Sequence, residues 1–332
     1  MARGHHTRQE PDSEHLRLLA KVARMYYERG LRQPQIAAEL NISQPRVSRL
    51  LKRAADIGVV RTVVTLPPGT HLDLEQLLVD RYQLDDAVVV DTSGAGDHVL
   101  PALGAAGADY LAAALTGGHT LGVSSWSETL IETVKVMRPT PYAVADKVVQ
   151  IVGGIGEADA QMQATRLVAR LADLLGATPV LLSAPGLVGT AATRRAYMND
   201  GSFHDVSDLW VDIDIALLGI GSLAPSVAMP PTAMTPTASA LGHDEWAELL
   251  TRGAVGDVCL RYFDADGAPV PSSFDNRLVG ITQGQLCRIP RRIAIAGGER
   301  KTAAVKAALL GGWVNTLVTD DRTARHLVED TT

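Results

Sequence analysis

Between Gln33 and Lys52 the apolar positions fall at Ile36, Ala37 and Leu40, then at Val47, Leu50 and Leu51, with Ala54 just beyond and polar residues in the intervals. Three- and four-residue spacing of this kind predicts two short helices, the first from about Pro34 to Leu40. Asn41, Ile42 and Ser43 break the run between them. Asn41 tolerates a left-handed backbone, Ile42 can drop into the angle between the helices, and Ser43 is suited to cap the second. Pro34 and Pro45 each sit where a first helical turn accepts proline, because the missing N–H would have no helical partner there. Together these features predict a helix-turn-helix. Arg32 or Gln33 stands where Ser, Thr or Asp would cap the first helix, so its start is expected to be looser. Ahead of the pair, Leu16, Leu19, Val22, Ala23 and Tyr26 repeat at helical spacing and Gly30 follows as a stop, predicting a third helix for the pair to pack against.

Beyond Gly58 the pattern changes. Val59 to Leu66 is β-branched enough for a strand or wing, and Pro67-Pro68-Gly69 punctuates the chain. His71 to Tyr82 reads as a linker helix whose Leu72, Leu74, Leu77 and Leu78 can pack on a large domain or a second subunit. From Asp86 short apolar runs alternate with helical stretches, which predicts an α/β domain with a mainly parallel sheet covered on both faces. The predicted strands are Ala87 to Val90, Thr120 to Val123, Val148 to Val152, Pro179 to Leu182, Ile213 to Leu218, Val258 to Tyr262, Arg292 to Ala296 and Thr316 to Thr319. The helices between them are Val99 to Leu115, Glu128 to Met137, Gln161 to Leu175, Trp246 to Thr251, Lys301 to Leu310 and Arg322 to Val328. The expected layout is a disordered tail (1–14), a small all-α helix-turn-helix domain (15–66), a linker helix (67–85) and a large α/β domain (86–332).

Charge sharpens this division. Residues 1–61 carry 12 Lys and Arg against 6 Asp and Glu, a net of +6, whereas the remainder carries 19 against 31, a net of −12; together they make the −6 of the whole chain. A basic module on an acidic body fits a small DNA reader joined to a domain that does not touch DNA. With 332 residues, 46% hydrophobic and 20% charged, the chain can bury two cores. No stretch approaches the roughly 20 apolar residues of a membrane helix, and the first residues lack the apolar run of a signal peptide, so a cytoplasmic protein is expected. Cys259 and Cys287 give neither a disulfide framework nor a metal spacing and are expected to be buried thiols.

The residue types on the outer faces of the second helix are those that contact DNA. Arg46, Arg49 and Arg53 can bridge guanine O6 and N7, Gln44 can bridge adenine N6 and N7, and Ser43, Ser48 and Lys52 suit phosphates. In the large domain the recurring feature is chemistry at strand ends: GVSSWSET (122–129), GGIGE (153–157), GIGS (219–222), FDADG (263–267) and AGGERK (296–301). In open α/β sheets the ligand crevice lies at the carboxyl ends of the strands, where glycine lets backbone N–H groups approach an anion. A small phosphorylated molecule meets those demands. The strongest candidates are the hydroxyls of Ser124, Ser125, Ser127 and Thr129, Lys301 beside Gly297-Gly298, and Asp257 as an acceptor for sugar hydroxyls. Gly219, Gly221 and Ala224 match a dinucleotide fingerprint formally, but Pro225 stands where its helix must continue, and no phosphate-binding G-x-x-x-x-G-K-[ST] occurs. His204, His243 and His326 lack ligand spacing, so neither metal nor cofactor is expected.

Seven blocks now stand in order: LLAKVARMYYERGLRQPQIAAELNISQPRVSRLLKRAADIGVV, GVSSWSETL, VVQIVGGIGE, DIALLGIGSL, GAVGDVCLRYFDADG, IPRRIAIAGGERK and NTLVTDDRTAR. Over nearly its whole length the chain resembles the DeoR-like sorbitol-operon (SorC) family of sugar-responsive bacterial transcriptional regulators. The resemblance implies a C-terminal effector domain related in fold to sugar-phosphate isomerases and deaminases. It also implies a homo-oligomer, dimer or tetramer, on palindromic operator DNA, with a phosphorylated sugar or polyol as effector. It places phosphate-side contacts on the 122–129 loop and Lys301, a hydroxyl-binding carboxylate on Asp257, and a further polar contact on Gln163; Gly154, in the GGIGE stretch, joins the candidate effector contacts. Many members read G-x-G-W-G-x-T in the first loop; here Ser124, Ser125 and Ser127 surround Trp126, giving fewer glycines and more hydroxyls.

Two functions are therefore compared. One is a regulator of a sugar or polyol operon whose operator affinity the effector switches. The other is an isomerase or deaminase of sugar phosphates with an accessory DNA-binding module, which needs a positioned base such as Asp257 or Asp264.

Overall fold

A computed structural model describes residues 13–60, 69–92, 99–124, 127–154, 158–223 and 243–329. The chain divides into two compact units, Met1–Pro67 and Pro68–Thr332. The predicted tail up to residue 12 and the wing from 61 onward lie outside the described residues.

The first unit has three helices, α1 (Ser13–Tyr27), α2 (Gln33–Glu39) and α3 (Gln44–Asp56). One apolar cluster joins them: Leu19, Val22, Ala23 and Met25 from α1, Ile36 and Ala37 from α2, and Val47, Leu50, Leu51 and Ala54 from α3. Met25 takes the core place expected of Tyr26, which is 37% exposed. Asn41 is left-handed at φ 52, Gly30 at φ 66, and Ile42 packs between the helices. The start of α2 is better tied than its lack of a capping side chain suggests, because Gln35 Oε1 accepts the Arg32 N–H at 2.8 Å. Ser43 occupies the cap position of α3 but its hydroxyl makes no capping bond; its carbonyl accepts the Arg46 and Val47 amides instead.

The second unit is built on seven strands: β1 (Asp86–Val90), β2 (His119–Val123), β3 (Ala145–Gln150), β4 (Thr178–Val180), β5 (Ile215–Leu218), β9 (Arg291–Ile295) and β10 (Thr316–Asp320). Every pairing in this sheet is parallel, in the order β1-β10-β9-β5-β2-β3-β4. Both faces are covered: Ile215 and Leu217 of β5 enter one apolar cluster while Ala216 and Leu218 enter the other. On the first face lie α5 (Leu100–Ala114), α6 (Glu128–Val136) and α7 (Ala158–Leu175). On the second lie α4 (Leu72–Tyr82), α12 (Thr302–Leu310) and α13 (Asp321–Glu329). Leu78 and Tyr82 bind α4 into this core, with Leu72 and Leu77 left exposed.

The predicted strand from Val258 to Tyr262 is instead a tight hairpin. Gly256–Val258 (β7) and Arg261–Phe263 (β8) pair antiparallel, and with Gly221–Ser222 (β6) they form a separate three-stranded sheet. Cys259 and Leu260 make the turn at φ 53 and 62; with no Gly, Pro, Asn or Ser between Val258 and Tyr262, the sequence carries no punctuation to mark it. Three short helices lie outside the predicted set, α8 (Ala191–Met198), α9 (Gly201–Ser207) and α11 (Gln283–Leu286), whereas Trp246 to Thr251 begins earlier as α10 (His243–Thr251). Of the two cysteines, Cys259 is buried and Cys287 half-buried.

Candidate functional site

Two regions carry candidate chemistry, one in each unit. In α3 every residue expected to face DNA is exposed: Ser43, Gln44, Arg46, Ser48, Arg49, Lys52 and Arg53. Burial of Val47, Leu50, Leu51 and Ala54 fixes this orientation, since those four leave only the outer faces for the rest. Arg49 donates to the Pro45 carbonyl at 3.4 Å, and among the described residues none of the four cations of α3 is in an ion pair. The face is therefore a cationic surface available to phosphates and base edges.

The second region lies over the carboxyl ends of β2, β5 and β9. The chain leaves β2 into α6 on one face of the sheet and leaves β9 toward α12 on the other, so a crevice opens over β5 between them. Three loops meet there. Ser124, after β2, donates its amide to Leu217 O at 3.0 Å, and its Oγ accepts the Gly219 amide at 3.0 Å. A Cβ on Gly219 would collide with Ser127, which is why glycine stands there. Ser222 Oγ donates to Arg300 O at 3.0 Å and so ties the β5 loop to the AGGERK loop.

The buried hydroxyls are committed to one another. Thr129 donates to Ile295 O at 2.6 Å, so its contact with Ser127 at 2.6 Å requires Ser127 to be the donor. Ser127 caps α6, accepting the Leu130 amide at 3.4 Å. These side chains brace the crevice at the N-terminus of α6, where helix amides favour an anion. Ser125 and Trp126 lie outside the described residues.

Asp257 and Lys301 face the same crevice. Asp257, on β7, accepts the Leu260 amide at 3.0 Å and presses against Gly221, where a Cβ would strike its Oδ1. Burial pushes its carboxyl up to about 6, against the opposing pull of the Leu260 amide and of Lys301. Lys301 ends a single 3-10 turn (Glu299–Lys301) that opens α12. Burial lowers its ammonium from the ordinary lysine value, while Glu128 and Asp257 act to raise it.

The other expected contacts are placed differently. Gly154 is buried with its amide on Ala184 O and its carbonyl accepting from Gly186. That close approach of residues 184–186 accounts for the glycines at 153 and 186, where a Cβ would meet backbone. Residues 155–157 lie outside the described residues, and Gln163 is exposed near the start of α7. Asp264 is spent on a turn, accepting the Asp266 and Ala268 amides at 3.0 and 2.9 Å.

Two residues that sequence reasoning missed shape the site. Asp320, fully buried at the end of β10, accepts the Gly298 amide at 2.7 Å and the Thr323 hydroxyl at 2.7 Å, holding the loop that carries Lys301. Glu128 begins α6 and sits within electrostatic reach of Lys301. Consecutive carboxylates closing the apolar strand at Asp320-Asp321 were the available signal for the first.

Comparison with known proteins gives the same two-part picture. Residues 67–329 match the family described as "Putative sugar-binding domain", and residues 20–56 match "Sigma-70, region 4". The deoxyribonucleoside regulator of Bacillus subtilis (strain 168) is 32% identical over 324 residues, covering 96% of this chain and 99% of that one. The sorbitol operon regulator of Klebsiella pneumoniae is 31% identical over 320 residues, with the same shares covered. The crystal structure of the full-length sorbitol operon regulator from Klebsiella pneumoniae superposes with a TM-score of 0.72 at 30% identity, covering 95% of this chain and all of that one.

Proposed function

We propose a function from one premise: this chain belongs to the SorC family of transcriptional regulators, with a helix-turn-helix that binds DNA and a sugar-binding domain behind it. In our reading the second unit binds a phosphorylated sugar or polyol in the crevice over β5. The phosphate lies against the first amides of α6 and Lys301, and Asp257 accepts from the hydroxyls. Ser124, Ser127 and Thr129 hold the walls, with Gly154 and Gln163 bordering the loop that follows β3. The observation that carries this reading is the convergence of three glycine-bearing strand-end loops on a half-buried lysine and carboxylate.

The regulator acts by shifting populations. An effector that binds one arrangement of the chain better than another moves the equilibrium by its differential affinity, and operator affinity follows. Recognition helices related by a two-fold axis would address half-sites of a palindrome about one helical turn, or a multiple, apart, so we take the working form to be a dimer or tetramer. No described helix is long and apolar enough to cross a membrane, and we place the protein in the cytoplasm. We also read the crevice as binding rather than catalytic. Of the two carboxylates considered as a base, Asp264 is occupied in a turn and Asp257 faces a lysine.

The test is a thermal-shift screen of the intact protein against phosphorylated and free sugars and polyols, followed by operator binding with the best hit. A ligand specific for the folded state raises the midpoint. Lys301→Ala should abolish the response to a phosphorylated hit while leaving DNA binding without ligand intact. An unchanged response in that variant removes the phosphate assignment.

A further inference from the structure

A second cluster of potential ligands lies on the same carboxyl edge of the sheet, at the ends of the outer strands β1 and β10. Thr70 pairs with Val90 in an antiparallel bridge, which sets His71 at the start of α4 beside Asp91, the residue after β1. The register of β1 on β10 matches Val90 with Asp320, so the next residue of each strand, Asp91 and Asp321, also stand side by side. One ligand atom from each of His71, Asp91 and Asp321 lies within 4.8 Å of the others. Ligands on a tetrahedral ion at bonds of about 2.0–2.2 Å stand about 3.3–3.6 Å apart. The three close on an ion with side-chain shifts on the order of an ångström.

His71 Nε2 is shut off from solvent with no hydrogen-bond partner, a state that costs free energy unless something coordinates it. Asp321 is 8% exposed, and its Oδ1 accepts both the Thr92 amide at 3.0 Å and the Thr92 hydroxyl at 2.8 Å. Such outer partners fix the direction of a ligating carboxylate. Its Oδ2 faces Arg325 Nη2 at 3.8 Å, too far for a hydrogen bond.

We propose that His71, Asp91 and Asp321 bind a first-row divalent metal ion. One imidazole nitrogen with two carboxylate oxygens suits Zn²⁺ or Mn²⁺ and not the all-oxygen shells of Ca²⁺ or Mg²⁺. The ion serves as a clamp. At their C-terminal ends α4 and α13 are already joined, by Tyr82 Oη on Leu327 O at 2.9 Å and Arg81 Nη1 on Val328 O at 2.6 Å. The ion joins their N-terminal ends, and α4 is the first helix of the second unit. The effector reading does not depend on this site, nor the site on that reading.

The test is calorimetric titration of chelator-stripped full-length protein with Zn²⁺ and with Mn²⁺, paired with melting curves. One of these ions should bind at one per chain with micromolar or tighter affinity and raise the midpoint, and excess chelator should reverse the rise. His71→Gln and Asp321→Asn should each weaken that binding at least about tenfold and remove the rise. If Asp321→Asn does not fold, Asp91→Asn at the exposed member of the set provides the same reading. A protein whose N-terminal pair is changed by His5→Ala and His6→Ala should still bind the ion. The proposal is overturned if neither ion binds in the micromolar range, if the three site variants bind as tightly as the parent, or if loss follows the His5/His6 change.

Discussion

The recognition helix and the crevice proposed for the effector both collect polar residues, but the fold treats them in opposite ways. In α3 the polar side chains are left exposed, and the four apolar residues behind them do the packing. In the crevice Ser124, Ser127 and Thr129 are buried, and their hydroxyls link β2, β5, β9 and α6 to each other. The difference teaches that function and stability are separable on the DNA face and entangled in the crevice. A substitution on α3 should alter binding at constant stability; a substitution among the hydroxyls should alter both.

The largest effect is expected where the entanglement is deepest. Thr129→Val keeps the shape of the side chain but strands the Ile295 carbonyl and the Ser127 hydroxyl in the interior. A buried group left without its partner costs about 1–3 kcal/mol, and two groups lose theirs here. Denaturant unfolding should show a fall in that range or beyond, with weaker effector binding in parallel. Lost effector binding at unchanged stability would place the hydroxyl on the ligand and break the comparison.

On the other side, Arg46→Ala should lose roughly 1–3 kcal/mol of operator affinity if Arg46 reads a base edge, with the melting midpoint unchanged. Competition by fluorescence anisotropy between operator and random duplex measures it. Equal loss on both duplexes would make Arg46 a phosphate contact.

Asp257 offers a gentler probe of the crevice. Its folded carboxyl is pushed up to about 6 by burial, above the unfolded value, so the native state holds a proton that the unfolded chain has released. Stability should therefore fall as pH rises from about 4 to about 6, by no more than about 1.4 kcal/mol per pH unit, and level off above. Asp257→Asn should remove that slope in unfolding curves taken across the window. A slope that survives the change belongs to other groups.

How much of this was legible in the sequence follows the same division. Helical spacing, a left-handed Asn41 and two first-turn prolines mark the recognition pair, because its contacts are local and its face is defined by what it does not bury. The parallel strands were legible too, since burial on both faces makes each an apolar run. The crevice was legible as a set of loops and not as a set of roles. Nothing local shows that Thr129 turns toward Ile295, 166 residues away, or that Gly219 makes room for Ser127. The hairpin at Cys259-Leu260 was hidden for a related reason: two non-glycine residues at positive φ turn the chain where no turn-forming residue type stands. Asp320 was passed over because one of its partners, the Gly298 amide, lies 22 residues away on the loop after β9, while the other, Thr323, sits in the first turn of α13.

The smallest effect tests the DNA face at its least specific. Lys52 is exposed on α3 with no ion pair among the described residues, so removing it leaves no partner behind and should not move the melting midpoint. A lysine against a phosphate displaces about one counterion, and its loss changes the logarithmic salt dependence of binding by about one unit for every duplex alike. Lys52→Ala should therefore flatten the salt slope equally for operator and random DNA and leave their affinity ratio untouched. If the ratio changes while the slope does not, Lys52 reads sequence, and the division of α3 into base-reading and phosphate-holding residues has to be redrawn.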